Sequence, residues 1–330
     1  MNRSLKKGLI IASATAAAGL TGHHLLTKKM MKIAMDRVEP QERNKDKERV
    51  AGSPEMEQIA ELVQNAALRL ENNSECKEVV TVAHDGISLL GHWYPCEAAE
   101  RIVIAMHGWR SSWSQDFGVI ADFWHANNCS VLYAEQRGQN NSGGDHMSFG
   151  LLERYDCLTW SNWVAEQISH QLPVYLVGVS MGAASVLMAS DLDLPENVYG
   201  IAADSAFTCP HEIWKHVSEN NLHIPYALHK TGADWLCQQR IGMSAGAAST
   251  IEALKNCKIP VLFVHGTEDH FVPVEMTYEN YKARAAEKRL LIVPGAGHCM
   301  SYLVEKEKYE RTAKEFWETC EQRRKETKTQ

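Results

Sequence analysis

Val174-Tyr175-Leu176-Val177-Gly178-Val179-Ser180-Met181-Gly182-Ala183-Ala184-Ser185-Val186-Leu187-Met188-Ala189 is the stretch from which the fold is read. An apolar run leads into a G-x-S-x-G turn, and a small-residue helical pattern follows it directly. That order is the strand–turn–helix context of a nucleophile elbow. The turn forces the serine into a strained backbone conformation, and Gly178 and Gly182 let strand and helix approach closely enough to hold it there. The hydroxyl is thereby pushed out at the carboxyl edge of a sheet, above the positive end of a helix. Taken alone, the pattern also fits a glycine-rich turn with an incidental serine, so its weight depends on its surroundings.

On both sides of the elbow the chain alternates between short apolar runs and helical stretches. The runs are Ile102–Met106, Val131–Tyr133, Val174–Val179, Ile201–Ala203, Val261–Val264 and Leu290–Val293. Each is nearly continuous, as strands buried on both faces of a parallel sheet are. Phe117–Asn127 and Leu158–Ile168 read as helices between them. Upstream, Glu78–His84 and Ile87–Tyr94 flank Asp85-Gly86, which predicts a hairpin with a two-residue turn. An antiparallel hairpin leading into a mainly parallel twisted sheet, with helices on both faces, is an α/β fold. The segment 208–256 is longer than a crossover requires and rich in His, Trp and Tyr. It reads as a small helical cap over the sheet's carboxyl edge.

The 330 residues suffice for one large domain with modest additions. A formal charge of −7 gives no reason to expect nucleic-acid binding. The nine cysteines show no C-x-x-C pair and no zinc-like clustering, so no metal site is legible. They read as small buried hydrophobes in a reduced environment. The N-terminus stands apart. Arg3, Lys6 and Lys7 precede an uncharged stretch from Gly8 to Leu26, and Lys28, Lys29 and Lys32 follow it. At 1.5 Å per residue that stretch covers about 28 Å, close to a hydrocarbon core. Residues 8–26 are therefore expected to associate with a membrane. A signal segment cleaved near Ala16-Ala17-Ala18, giving a secreted product, is the alternative. The expected organisation is an anchor or signal over 1–35, a charged spacer and an amphipathic helix from Pro54 to Arg69 within 36–75, and a catalytic domain over 76–330.

A serine hydroxyl is a poor nucleophile and needs a base, itself held by a carboxylate. Two loops that follow strands offer these groups on the same sheet edge as Ser180. One is His265-Gly266-Thr267-Glu268-Asp269, and the other is Pro294-Gly295-Ala296-Gly297-His298. Asp269 as orienter and His298 as base is the preferred reading, with Gly295 and Gly297 freeing the loop that presents the histidine. Glu268 and, more seriously, Asp204 at the end of Ile201-Ala202-Ala203 are the rival acids. Two donors are also required for an oxyanion. The amide of Met181 is one. The loop His107-Gly108-Trp109 supplies the other, with Gly108 turning the chain so that the Trp109 amide faces the serine, while the His107 side chain braces the loop.

These motifs, with Glu135-Gln136-Arg137-Gly138, Phe149-Gly150 and Ala203-Asp204-Ser205-Ala206-Phe207, resemble the α/β-hydrolase superfamily from about Glu78 to Phe316. More closely, the chain resembles bacterial serine aminopeptidase-like and prolyl-oligopeptidase-like hydrolases, which often carry an N-terminal membrane segment. The resemblance implies the α/β-hydrolase fold, the chain order serine, acid, histidine, and no metal or organic cofactor. Two departures stand out. Glu135 replaces the aspartate of the usual Asp-x-Arg-Gly, and Asn140 stands where a glycine is expected two places after Gly138. Arg137 is expected to anchor its loop rather than bind substrate.

The chemistry so implied is acyl transfer through a serine ester. Trp109, Trp113, Trp214, Tyr226 and Trp235 are candidate pocket residues, and their apolar character favours a small-molecule or lipid-like carboxylic ester. A serine peptidase is the alternative, and a binding module that has lost catalysis a minor one.

Overall fold

Each strand of the central sheet contributes alternate side chains to opposite faces, and both faces are covered. In β3 (Arg101–Met106), Ile102, Ile104 and Met106 join one core with Trp160, Leu176 and Leu187. Val103 and Ala105 join the other, with Phe117, Tyr133, Phe316 and Trp317. The computed structural model describes residues 22–37 and 54–329. Its other strands are β1 (Lys77–Val82), β2 (Ser88–Tyr94), β4 (Cys129–Ala134), β5 (Val174–Val179), β6 (Val198–Asp204), β7 (Val261–Gly266) and β8 (Lys288–Val293). They form one sheet in the order β1-β2-β4-β3-β5-β6-β7-β8. β2 is antiparallel to both of its neighbours, and the remaining pairs are parallel. The expected α/β architecture is the observed one, with each of the six apolar runs inside a parallel strand.

Local chemistry explains the differences in detail. The hairpin does not close on two residues. The Ala83 N–H donates to Ile87 O at 2.8 Å and Gly86 N–H to Ala83 O at 2.9 Å, leaving three residues in the loop. Gly86 takes the left-handed conformation (φ 85°) that such a loop requires. The first crossover helix, Trp113–Ala126, begins four residues before the expected start, because the Ser112 hydroxyl caps it by accepting from Gln115 N–H. The helix Pro54–Glu71 buries Ala66, Ala67 and Leu70, while Leu62 is half exposed.

Above the carboxyl edge lies a third apolar cluster. It joins Met181 of the elbow and Phe149 and Phe207 of the loops to Ile213, Trp214, Tyr226 and Leu236 of the cap. The cap is built from the helices Pro210–His216 and Tyr226–Ile241. Thr250–Asn256, included in the expected cap, is a core helix instead, with Leu254 buried against the sheet.

Residues 22–35 form a helix that lies on this cap, with Met31 and Met35 buried in the same cluster. The expected membrane or signal segment falls mainly on residues 8–21, outside the described residues. No helix among the described residues is long and apolar enough to cross a membrane.

Candidate active site

The elbow is a steric necessity. Ser180 has φ 53° and ψ −116°, a strained conformation for a residue with a side chain. A Cβ on Gly182 would stand 1.9 Å from Met106 O, and one on Gly178 would stand 2.3 Å from Gly182 O. The backbones of β3, β5 and the helix Met181–Met188 can therefore meet only through glycine.

The ends of β5, β7 and β8 bring three side chains together. His298 Nε2 lies 2.9 Å from Ser180 Oγ, placed to accept its proton. His298 Nδ1–H donates to Asp269 Oδ2 at 2.7 Å. The other oxygen, Asp269 Oδ1, accepts from the Phe271 and Val272 backbone N–H groups at 2.9 and 2.8 Å. Burial by itself would raise the Asp269 carboxyl. Hydrogen bonds from His265 and His298, joined by the Val272 amide, outweigh burial and hold it well below the usual carboxylate range. Asp269 is thus a fixed anion beneath the His298 ring. Asp204 is elsewhere. Its carboxylate accepts from Ser205 and Ser301 Oγ at 3.1 and 3.3 Å, makes no hydrogen bond to His298, and is raised by burial. Glu268 is exposed beside His270.

His265 was not assigned a role from sequence. Its Nε2–H donates to Asp269 Oδ2 at 3.1 Å and to Val272 O at 2.9 Å, and its Nδ1 accepts from Thr277 Oγ1 at 2.6 Å. It holds the acid through the same carboxylate oxygen that His298 bonds. Its position at the end of β7, four residues before Asp269, is the only trace of this in the sequence.

Of the two residues expected to turn an amide toward an oxyanion, Met181 follows Ser180 directly and Trp109 lines the same cavity as Ser180. Met181 opens its helix, so its N–H has no partner within the helix. The Trp109 loop is braced as expected of His107: its Nδ1–H donates to Gly108 O at 2.8 Å and its Nε2 accepts from Gln136 N–H at 3.1 Å. Gly108 packs against the serine, since a Cβ there would lie 3.3 Å from Ser180 Cβ, and its N–H donates to Asp116 Oδ2 at 2.7 Å. The left-handed turn, however, falls on Arg110 (φ 53°) and not on Gly108. Arg137 is an anchor, bonded to Asp156 at 2.5 and 2.6 Å and to Asp85 at 2.6 Å. Glu135 pairs with His92 at 2.9 Å. Asn140, in place of glycine, keeps the left-handed conformation at φ 50°, which asparagine tolerates better than most residues.

A cavity of about 230 Å³ opens from Ser180 beneath the cap. Of the aromatic residues expected in a pocket, Trp109, Trp214 and Tyr226 line it, with Phe149, Phe207 and Phe271. Trp113 packs instead in the core against His92 and Tyr133, and Trp235 is exposed on the cap.

Residues 102–315 match the model of the alpha/beta hydrolase family. Among curated proteins, YqkD of Bacillus subtilis (strain 168), named as uncharacterized, is 27% identical over 57% of this chain. The match spans 61% of that relative's length. YfhR of Escherichia coli (strain K12), also named as uncharacterized, is 24% identical over 67% of this chain and 73% of its own. Among solved structures, the Pyrococcus furiosus esterase Pf2001 superposes with a TM-score of 0.60 at 21% identity, over 74% of this chain and 92% of that one. The Pyrococcus horikoshii acylaminoacyl peptidase gives 0.55 at 16% identity, over 76% and 42%. With sheet order, elbow and family match in agreement, this chain belongs to the alpha/beta hydrolase family and has its fold.

Proposed function

We propose that the protein is a serine hydrolase that cleaves carboxylic esters through an acyl-enzyme. Ser180 Oγ attacks the ester carbonyl as His298 Nε2 takes its proton. Asp269 keeps the other ring nitrogen protonated and stabilises the imidazolium. The Met181 and Trp109 amides hold the oxyanion. Collapse of the tetrahedral intermediate breaks the bond to the alcohol, which leaves with the proton from His298. Water then attacks the serine ester by the same route and releases the acid.

One observation carries the preference for esters: among the described residues no carboxylate or lysine lines the cavity at Ser180. A peptidase that selects a free N-terminal amine needs an anion there, because a buried ammonium without a partner is costly. Two acids beyond the end of β4, Glu135 and Glu153, are already engaged. Glu135 is held by His92, and Glu153 accepts from the Ser148 and Gly150 amides. The substrate is accordingly read as a small-molecule or lipid-like ester. Membrane association through residues 8–26 is part of the same proposal, with secretion after cleavage as its alternative.

The test is a rate panel with Ser180→Ala as control. Acyl esters should be hydrolysed and the variant should lose the activity. Faster cleavage of aminoacyl amides bearing a free amine would replace the ester reading with the peptidase one.

A further inference from the structure

The helix over residues 22–35 reaches the cavity at Ser180. Thr27, Met30, Met31, Ile33 and Ala34 all line it, facing Phe149, Phe207 and Trp214. The helix is held at both ends. At one end Thr27 Oγ1 bonds His229 Nδ1 at 2.7 Å, and the His23 ring stacks on His229 at 4.3 Å. At the other, Met147 N–H donates to Met35 O at 2.7 Å and Arg240 Nε to Asp36 Oδ1 at 2.6 Å. Between them, Trp109 Nε1–H donates to Ala34 O at 2.8 Å and Arg110 Nη2 to Ile33 O at 2.6 Å. The segment is therefore a built wall of the cavity, tied to Trp109, which lines the cavity with Ser180.

We infer that this helix is part of the substrate site and sets its acyl preference, completing an apolar pocket for a medium-length acyl chain. The inference rests on the ester reading above. The cavity of about 230 Å³ is more than ten times the roughly 10–15 Å³ that one water needs, room for an acyl chain and not for an acetyl group alone. Mostly apolar walls favour an unsubstituted chain, whose methylenes leave water without leaving a polar group unpaired. Met31 is buried and lines the cavity, so its volume limits the room available.

Two substitutions of opposite size test this in the full chain, with p-nitrophenyl acetate, octanoate and laurate as probes. The readout is the ratio of kcat/KM between esters, which is insensitive to how much protein is active. Met31→Trp should lower the octanoate-to-acetate ratio at least tenfold. Met31→Ala should raise the laurate-to-octanoate ratio by several fold. Ratios unchanged in both variants, in a protein whose ester hydrolysis is lost in Ser180→Ala, would overturn the helix inference and leave the ester reading standing. Absence of ester hydrolysis in the native protein, or hydrolysis that survives Ser180→Ala, would instead remove the ester reading and the inference with it.

Discussion

Ser180 holds a positive φ because two carbonyl groups leave no space for a side chain at its neighbours. Gly182→Ala would place a methyl group inside the contact distance of Met106 O. The expected cost is about 3 kcal/mol or more, since backbone and not a flexible side chain must yield. A urea midpoint equal to that of the native protein would contradict the close approach described here. Asp269 acts at the same scale. Asp269→Asn preserves shape but removes the anion that selects the Nδ1–H tautomer of His298, and kcat toward a cleaved ester should fall about 10⁴-fold. A loss below tenfold would point to another acid, and Asp204→Asn would then be the variant to measure. The serine, the histidine and Asp269 were legible because each lies immediately beyond an apolar run. His265 was not, because its role depends on Thr277 from the following helix and on the Val272 carbonyl.

Strands and helices differ in how much of their setting the sequence reveals. Runs buried on both faces leave a continuous apolar signal, so the six parallel strands were readable to within a few residues. The helix over residues 22–35 was not readable as part of the site. Its apolar residues resemble the end of a membrane segment, and several of the bonds that dock it run to its own carbonyls at Ile33, Ala34 and Met35. A backbone carbonyl carries no residue-type signature. Arg37, just after the helix, donates to the carbonyls of Ser142, Gly144 and Asn140 at 2.6, 3.2 and 2.5 Å. Arg37→Ala should therefore cost about 1–3 kcal/mol, and amide exchange over residues 138–147 should accelerate. Unchanged exchange in that loop would show that the guanidinium does not hold it.

For the whole molecule, acid sensitivity has a specific source on the face of the sheet remote from the cap. His125 stacks on Tyr94 at 3.6 Å and bonds the Tyr133 hydroxyl at 2.9 Å, and burial pushes its imidazole down from about 6.5 to about 4. Between those values the unfolded chain binds a proton that the folded chain does not, so stability falls as the pH is lowered through that window. Allowing for the partial exposure of the ring, the contribution is about 1–2 kcal/mol. His125→Phe should flatten the pH dependence of urea unfolding by that amount between pH 6.5 and 4. An identical slope in the variant would place the sensitivity elsewhere. The three apolar clusters also separate duties: two hold the sheet between its helices, and the third, shared by cap, elbow and residues 22–35, lies around the cavity at Ser180.

The bond from Trp109 Nε1–H to Ala34 O has a practical consequence for preparing the protein. Trimming the chain to a start near residue 50, a natural choice when the first residues look like a disposable leader, would retain the residues of the whole sheet with Ser180, Asp269 and His298. It would also remove one wall of the cavity at Ser180 and take away the Ala34 carbonyl that accepts from the Trp109 indole. Activity measured on such a shortened form would report on a cavity that lacks this wall.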